Sequence, residues 1–158
     1  MTEIVRAGAE RLDDIEPLWH ALVVHQGPML PVLGEPRERA DAWARRRNHY
    51  EQLLAREGAF ALIAEKDARA VGYAMVEPAS PSQSWRVEAA ATLETLLVLP
   101  EARGSGIGSA LLERVKAEVR GAGATHLGLG VVVANEAAVR FYRRHGFEAV
   151  FVDMITRL

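Results

Sequence analysis

A glycine-rich segment lies in the second half of the chain, where Arg103–Gly108 reads RGSGIG. It follows the apolar run ATLETLLVLP and precedes an apolar segment with helical periodicity, so it connects a strand to the N-terminus of a helix. Because glycine loses the most backbone entropy on folding, glycines at three alternate positions predict that another group approaches the backbone closely. A helix N-terminus offers unpaired N–H groups and the positive end of the helix dipole, which favours an anion.

Two common phosphate-binding patterns do not fit this segment. The dinucleotide pattern G-x-G-x-x-G requires a third glycine where Ser109 stands, and the P-loop requires a lysine after Gly108. Two interpretations remain from the loop alone: phosphate binding by a loop of another kind, and a tight turn with close packing of helix against strand.

A third pattern does fit, and a second motif accompanies it. The loop matches [QR]-x-x-G-x-[GA], and NEAAVRFYRRHGF further along matches N-x-x-A-x-x-[FL]-Y-x-x-x-G-F. Together they closely resemble the GNAT N-acetyltransferase superfamily. The resemblance is firm from about Thr92 to Phe147 and only topological nearer the N-terminus. The matching residues are Arg103, Gly104, Ser105, Gly106, Ile107 and Gly108 in the loop, and Asn135, Ala138, Phe141, Tyr142, Gly146 and Phe147 in the second motif.

The resemblance implies acetyl-CoA as cosubstrate. Backbone N–H groups of Arg103–Gly108 would bind its pyrophosphate, and Ser109 would add a hydrogen bond. The pantetheine arm would enter a gap between two splayed parallel strands and pair with the backbone of Leu96, Leu97 and Val98, as an added strand would.

Two residues of the second motif carry alternative interpretations. Asn135 is an ordinary N-cap for the last helix, whereas the resemblance implies a hydrogen bond to the pantetheine arm. Tyr142 is either part of a core-facing stripe or, as the resemblance implies, the general acid that protonates the departing CoA sulfur.

Glu94 is the best candidate for the base that an amine acceptor requires, since aliphatic amines are protonated at neutral pH. It is a charged residue inside an apolar strand, four residues before Val98, so a regular strand would place both on one face. Many members of the superfamily carry an acidic residue at this point. The alternatives are a solvated position at the end of the strand, Glu88 as the base, or a relay through water.

Composition limits the class of protein. The chain has 158 residues, 49% of them hydrophobic and 25% charged, which predicts one soluble globular domain over residues 1–158. The net charge of −2 argues against nucleic acid or an anionic membrane as partner. With no cysteine there is no thiolate metal site and no acyl-cysteine intermediate, and no histidine pair has metal-ligand spacing, so no metal is expected. No secretion signal or membrane-length apolar run is visible, so we expect a cytoplasmic protein.

Periodicity and turn residues predict the order β-α-α-β-β-β-α-β-α-β. The predicted fold is α/β: a mixed sheet of about six or seven strands, antiparallel in its N-terminal part, with a parallel pair joined by a right-handed crossover and helices on both faces. The last element, FEAVFVDMITRL, is expected to be a strand or a tight hairpin. The basic run Arg45-Arg46-Arg47 is interpreted as a solvated helix face.

These observations predict an acetyl-CoA-dependent N-acetyltransferase in which a primary amine attacks the thioester directly. The alternative is a non-catalytic CoA-binding regulatory module. Loops that include Met29, Leu30 and Trp85 are expected to line the acceptor pocket and to favour a small amine with an apolar body. Only eleven residues follow Phe147. Because a full hairpin barely fits there, the acceptor side is expected to be open or completed by a second subunit of a homodimer.

Overall fold

The computed structural model describes residues 1–158, which form a single five-stranded sheet with helices on both faces. In chain order the elements are β1 (Thr2–Ala7), α1 (Leu12–Gln26), α2 (Arg39–Leu54), β2 (Phe60–Lys66), β3 (Arg69–Ser80), β4 (Ala90–Val98), α3 (Ile107–Gly121), β5 (His126–Leu129) and α4 (Glu136–Arg144). None of these helices combines the length and hydrophobicity that a membrane span requires.

The sheet has the order β1-β2-β3-β4-β5. The pairs β1–β2, β2–β3 and β3–β4 are antiparallel. β5 lies parallel to β4, with α3 between them in the chain. The predicted mixed sheet is therefore confirmed, with five strands rather than six or seven.

Two hydrophobic cores lie on opposite faces of the sheet. Alternation along β2 sends Ile63 toward α1 and α2 and Leu62 toward α3, and both side chains are fully buried. On α3, Leu111 and Val115 lie one turn apart and are fully buried, which explains why this amphipathic segment is a helix on the second face.

A β-bulge interrupts β4 at Glu94. Met75 of β3 pairs with Thr95, but the next residue, Val76, pairs with Leu93, so Glu94 is the extra residue on β4. The bulge reverses the alternation: Leu93 packs in the core on the α3 face, whereas Thr95 faces α2. The expectation that Glu94 and Val98 share a face is therefore wrong, because it assumed an unbroken strand.

The two parallel strands separate after four pairs. Pairing runs from Ala90 with His126 to Leu93 with Leu129, where β5 ends, while β4 continues to Val98. The edge of β4 that would face β5 is therefore without a strand partner over residues 94–98. This opening matches the splayed pair that the resemblance implied.

The segment after Phe147 forms no helix or strand, so the predicted last strand or hairpin is wrong. A strand there would need to pair with the sheet, and the segment pairs with neither the outer edge of β5 nor the open edge of β4. The segment runs in an irregular path to Arg157, whose guanidinium donates hydrogen bonds to the backbone carbonyls of Pro31 and Val32. Its large apolar side chains are exposed: Val150, Phe151, Val152, Met154, Ile155 and Leu158.

Candidate active site

An open cleft of about 2730 Å³ extends from the glycine-rich loop, past the unpaired edge of β4, to the loop after α1. Single-ligand pockets are usually about 300–1000 Å³. The cleft therefore has room for two substrates that meet beside β4.

Gly104 and Gly106 have left-handed backbone conformations, with φ of 77° and 83°. A Cβ atom added to either would meet no atom within 4 Å, so packing against the protein does not explain their lack of a side chain. Gly108 differs, because a Cβ there would lie 3.6 Å from the Phe141 ring. The first two glycines thus form a turn with an open approach to its backbone, and the third lies in ordinary contact with α4.

The backbone N–H groups of residues 104–109 donate to no acceptor within the chain. Gly106 is the N-cap of α3 and supplies no capping side chain, so the helix N-terminus is also free. Six consecutive donors beside the positive end of a helix fit a pyrophosphate. Arg103 departs from the expectation: its N–H donates to Pro100 O at 3.3 Å, and its Nε donates to Val98 O at 3.0 Å.

Ser109 is part of a hydrogen-bonded chain at the same helix end. Its Oγ lies 3.0 Å from His145 Nε2, and His145 Nδ1 lies 3.2 Å from Glu113 Oε1. Lys116 donates to both Glu113 and the His145 carbonyl. The hydrogen bonds from Lys116 and His145 lower the pKa of Glu113. These hydrogen bonds fix the end of α4 against the first turns of α3.

Asn135 is the N-cap of α4, since its Oδ1 accepts the Ala138 N–H at 3.2 Å. Capping uses only the carbonyl oxygen of the side chain. The NH₂ group forms no hydrogen bond with another residue, and Asn135 lines the cleft. The N-cap interpretation and a ligand-binding one are therefore compatible.

Tyr142 lines the cleft with its ring between two aromatic neighbours, Phe141 at 5.3 Å and Phe147 at 5.7 Å between ring centroids. Its hydroxyl forms no hydrogen bond with another side chain. Burial raises the pKa of Tyr142 to about 12, so the phenol keeps its proton throughout the neutral range. This arrangement suits a proton donor.

Glu94 also lines the cleft, and its side chain is 16% exposed. Its carboxylate accepts a hydrogen bond from Arg46 Nη1 at 2.8 Å and lies 2.8–2.9 Å from His49 Nε2. Glu88, the alternative base, is exposed in the loop before β4 and lies outside the cleft. The structure thus brings Glu94 to the cleft and leaves Glu88 away from it.

The acceptor end of the cleft is mostly apolar. Met29 and Leu30 lie in its wall as expected, but Trp85 does not and is 73% exposed. Ser82 Oγ accepts the backbone N–H of Trp85 at 3.1 Å in a closed turn. The other apolar residues at this end include Trp19, Leu22 and Val23.

Sequence reasoning missed Arg46. The run of three arginines suggested solvent exposure, and Arg45 and Arg47 do pair with helix neighbours at the surface. Arg46, however, follows the buried Trp43 by three residues and precedes the buried Tyr50 by four. That helical spacing places it on the inner face of α2 and would have identified it.

Comparison with known proteins agrees with this geometry. Residues 19–147 match the acetyltransferase (GNAT) family. Uncharacterized N-acetyltransferases of Mycobacterium bovis and Mycobacterium tuberculosis are 38% identical over 87 residues, which is 55% of this chain and 51% of each relative. The chain thus aligns with about half the length of these curated relatives.

Three solved structures share the fold over nearly the whole chain. A protein of Bacillus halodurans has a TM-score of 0.84 at 17% identity, with 99% of both chains covered. An aminoglycoside N-acetyltransferase in complex with CoA has 0.76 at 19%, covering 100% of this chain and 95% of its own. A ribosomal-protein-alanine N-acetyltransferase of Brucella melitensis has 0.69 at 19%, covering 100% and 99%. With a family match over most of its length, this chain belongs to the acetyltransferase (GNAT) family.

Proposed function

We propose that the protein transfers the acetyl group of acetyl-CoA to the primary amine of a small molecule. The observation that carries the proposal is the run of six free N–H groups at residues 104–109, five of which belong to residues that line the same cleft as the unpaired edge of β4. A Glu94 carboxylate and a protonated Tyr142 lie on that cleft.

The cosubstrate would be bound by backbone groups more than by side chains. The amides of residues 104–109 would bind the pyrophosphate, and the backbone of Leu96, Leu97 and Val98 would pair with the pantetheine arm. The Asn135 NH₂ group would add a hydrogen bond to that arm. When bound, acetyl-CoA supplies an activated acetyl group as a thioester.

The residues of the chain would then move two protons. Glu94 takes one from the ammonium form of the acceptor, directly or through a water molecule, which leaves a nucleophilic amine. Tyr142 gives its proton to sulfur as the C–S bond breaks, and the second proton of the nitrogen restores the phenol. Because the chain has no cysteine, the amine attacks the thioester directly, without an acyl-cysteine intermediate.

The acceptor end of the cleft favours an amine with an apolar body and a single positive charge. Trp19, Leu22, Met29 and Leu30 form its wall, and Glu94 is the only carboxylate among the α1, α2 and β4 residues that line it. A polycation would be better recognised by several carboxylates. Aminoglycosides and basic peptides are therefore expected to be poorer acceptors than hydrophobic monoamines.

The exposed apolar side chains of residues 150–155 support a homodimer that covers them. They lie on a segment that is hydrogen-bonded through Arg157 to the loop beside the acceptor end of the cleft. A second copy would therefore also limit access of the acceptor to the cleft. Light scattering on the purified protein should give twice the chain mass. A monomer at micromolar concentration would contradict this part of the proposal.

The test is an assay of acetyl-CoA turnover with a panel of amines, in which release of the free CoA thiol is measured. Hydrophobic monoamines should be acetylated, and Glu94→Gln and Tyr142→Phe should each lower kcat about 100-fold or more while CoA still binds. Acetyl-CoA at about 100 times its Kd should stabilise the fold by ~2.7 kcal/mol, whereas NAD and ATP should not. CoA binding without turnover on any amine would favour the non-catalytic module instead.

A further inference from the structure

The β4 bulge places Glu94 against the inner face of α2, where two basic side chains contact its carboxylate. Glu94 Oε1 accepts the Arg46 Nη1–H at 2.8 Å, and His49 Nε2 lies 2.9 Å from Oε1 and 2.8 Å from Oε2. Glu94 forms ion pairs with these two residues and no other. We infer that Arg46 and His49 are positioning residues that hold Glu94 as an oriented carboxylate for proton abstraction. This inference rests on the proposed function.

Arg46 is itself held in place. Its guanidinium lies 5.4 Å from the ring centroids of both Trp19 and Tyr50, so α1 and α2 fix it from two sides by cation–π contact. Its side chain is 33% exposed, against 63% for Arg45 on the same helix. A guanidinium fixed by two rings fixes the carboxylate that it contacts.

The bulge is anchored to α2 at a second point. Tyr50 Oη lies 3.0 Å from Thr95 Oγ1 and 3.0 Å from Tyr73 Oη, and these hydroxyls are buried. Tyr50 follows Arg46 by one helical turn in α2, and Thr95 directly follows Glu94 in β4. Two adjacent contacts therefore join the same turn of α2 to the bulge, and the bulge cannot shift without breaking a buried hydrogen bond.

The contacts leave a lone pair on Oε2 of Glu94 without a partner. Oε1 accepts from Arg46, and His49 Nε2 lies 2.9 Å from Oε1 and 2.8 Å from Oε2. A carboxylate oxygen has two lone pairs, so Oε2 keeps one for the proton of the acceptor.

Arg46→Met removes the charge and keeps an apolar side chain of similar length on the inner face of α2. We expect kcat to fall about tenfold, with the Kd for CoA unchanged. Arg46→Lys should restore much of kcat, because it restores the charge. Arg45→Met is the matched control, because Arg45 is 63% exposed and pairs with Asp41. His49→Ala should give a smaller loss than Arg46→Met, because the imidazole is 50% exposed.

A double-mutant cycle distinguishes a positioning role of Arg46 from a purely structural one. If Arg46 acts through Glu94, Arg46→Met should have no further effect on kcat in the Glu94→Gln background. Additive losses, no rescue by Arg46→Lys, or an equal loss of CoA affinity would overturn the inference. Full activity of Glu94→Gln would instead refute the base role of Glu94, and the inference with it. Loss of activity in Glu94→Gln with wild-type behaviour of Arg46→Met would overturn the inference alone.

Discussion

The hydroxyl of Ser109, in the first turn of α3, lies 3.0 Å from Nε2 of His145, at the C-terminal end of α4. Two motifs that are 26 residues apart in the chain, ending at Gly108 and beginning at Asn135, therefore meet through one imidazole. Glu113 contacts the other ring nitrogen of His145 at 3.2 Å. The glycine-rich loop thus depends on α4 for the orientation of its one adjacent hydroxyl.

His145→Leu should weaken CoA binding about tenfold, or ~1.4 kcal/mol, because the Ser109 hydroxyl loses the partner that orients it. Isothermal titration with CoA measures the change. Ser109→Ala should lose about as much, and the two losses should not add. Arg114→Leu is the control, since Arg114 is exposed, pairs with Glu118 and lies outside the cleft. Additive losses would show that His145 acts on CoA binding by another route.

Gly106→Ala should reduce CoA affinity about tenfold or more, because a methyl group would occupy the approach to the free N–H groups. Gly106 has φ of 83°, so the variant also carries backbone strain of about 1–2 kcal/mol. Gly123→Ala is a matched control: Gly123 has φ of 94°, no neighbour within 4 Å of an added Cβ, and a position outside the cleft.

Thermal unfolding of both glycine variants, together with titration of CoA, separates strain from ligand binding. The two should lose similar stability, and only Gly106→Ala should lose affinity. Equal CoA affinity in both variants would mean that the loop is merely a turn.

The loop and α3 could be predicted from the sequence because their signals are local. Alternating glycines, the preceding strand and the apolar stripe at Leu112, Val115 and Val119 all lie within a few turns of one another. The orientation of Glu94 could not be predicted, since a bulge depends on the pairing of β4 with Met75 and Val76 of β3. Nothing in the pattern ATLETLLVLP indicates which residue is the extra one.

The prediction of a strand at the end of the chain was wrong for a related reason. The stretch from Val150 to Ile155 has the β-branched and aromatic composition of a strand. Strand formation also requires pairing with the sheet, and the segment pairs with neither β5 nor the open edge of β4, which its local composition does not indicate. Trp85 was also misplaced: the turn that holds it is closed by a hydrogen bond to Ser82, and the indole is exposed outside the cleft.

All three tyrosines of the chain should resist ionisation in the folded protein. Burial raises the pKa of Tyr50 and Tyr73 above the usual 10 and that of Tyr142 to about 12. Because the folded state binds these protons more tightly, the stabilisation is fully present below about pH 10 and is lost as the pH rises toward 12 and beyond.

Ultraviolet absorbance of the phenolate tests this prediction. The native protein at about pH 10 should show almost no phenolate, whereas the chain in guanidinium should titrate near the ordinary pKa of tyrosine. For the same reason, kcat should not fall through ionisation of Tyr142 below about pH 11. A tyrosine that titrates normally while the circular dichroism stays native would contradict the assigned burial.

Leu22→Ala should raise the KM of a hydrophobic monoamine about tenfold, within the range of about 1–3 kcal/mol for apolar contacts in a specificity pocket, and leave the KM of acetyl-CoA unchanged. Leu22 lies in the wall of the cleft on α1, on the acceptor side of β4. Trp85→Ala is the control, because the exposed indole lies outside the cleft, and it should change neither constant. The measurement is initial-rate kinetics with a hydrophobic monoamine and a polyamine as competing acceptors. If Trp85→Ala impairs the reaction and Leu22→Ala does not, the acceptor binds beside the turn at Ser82 and not along α1.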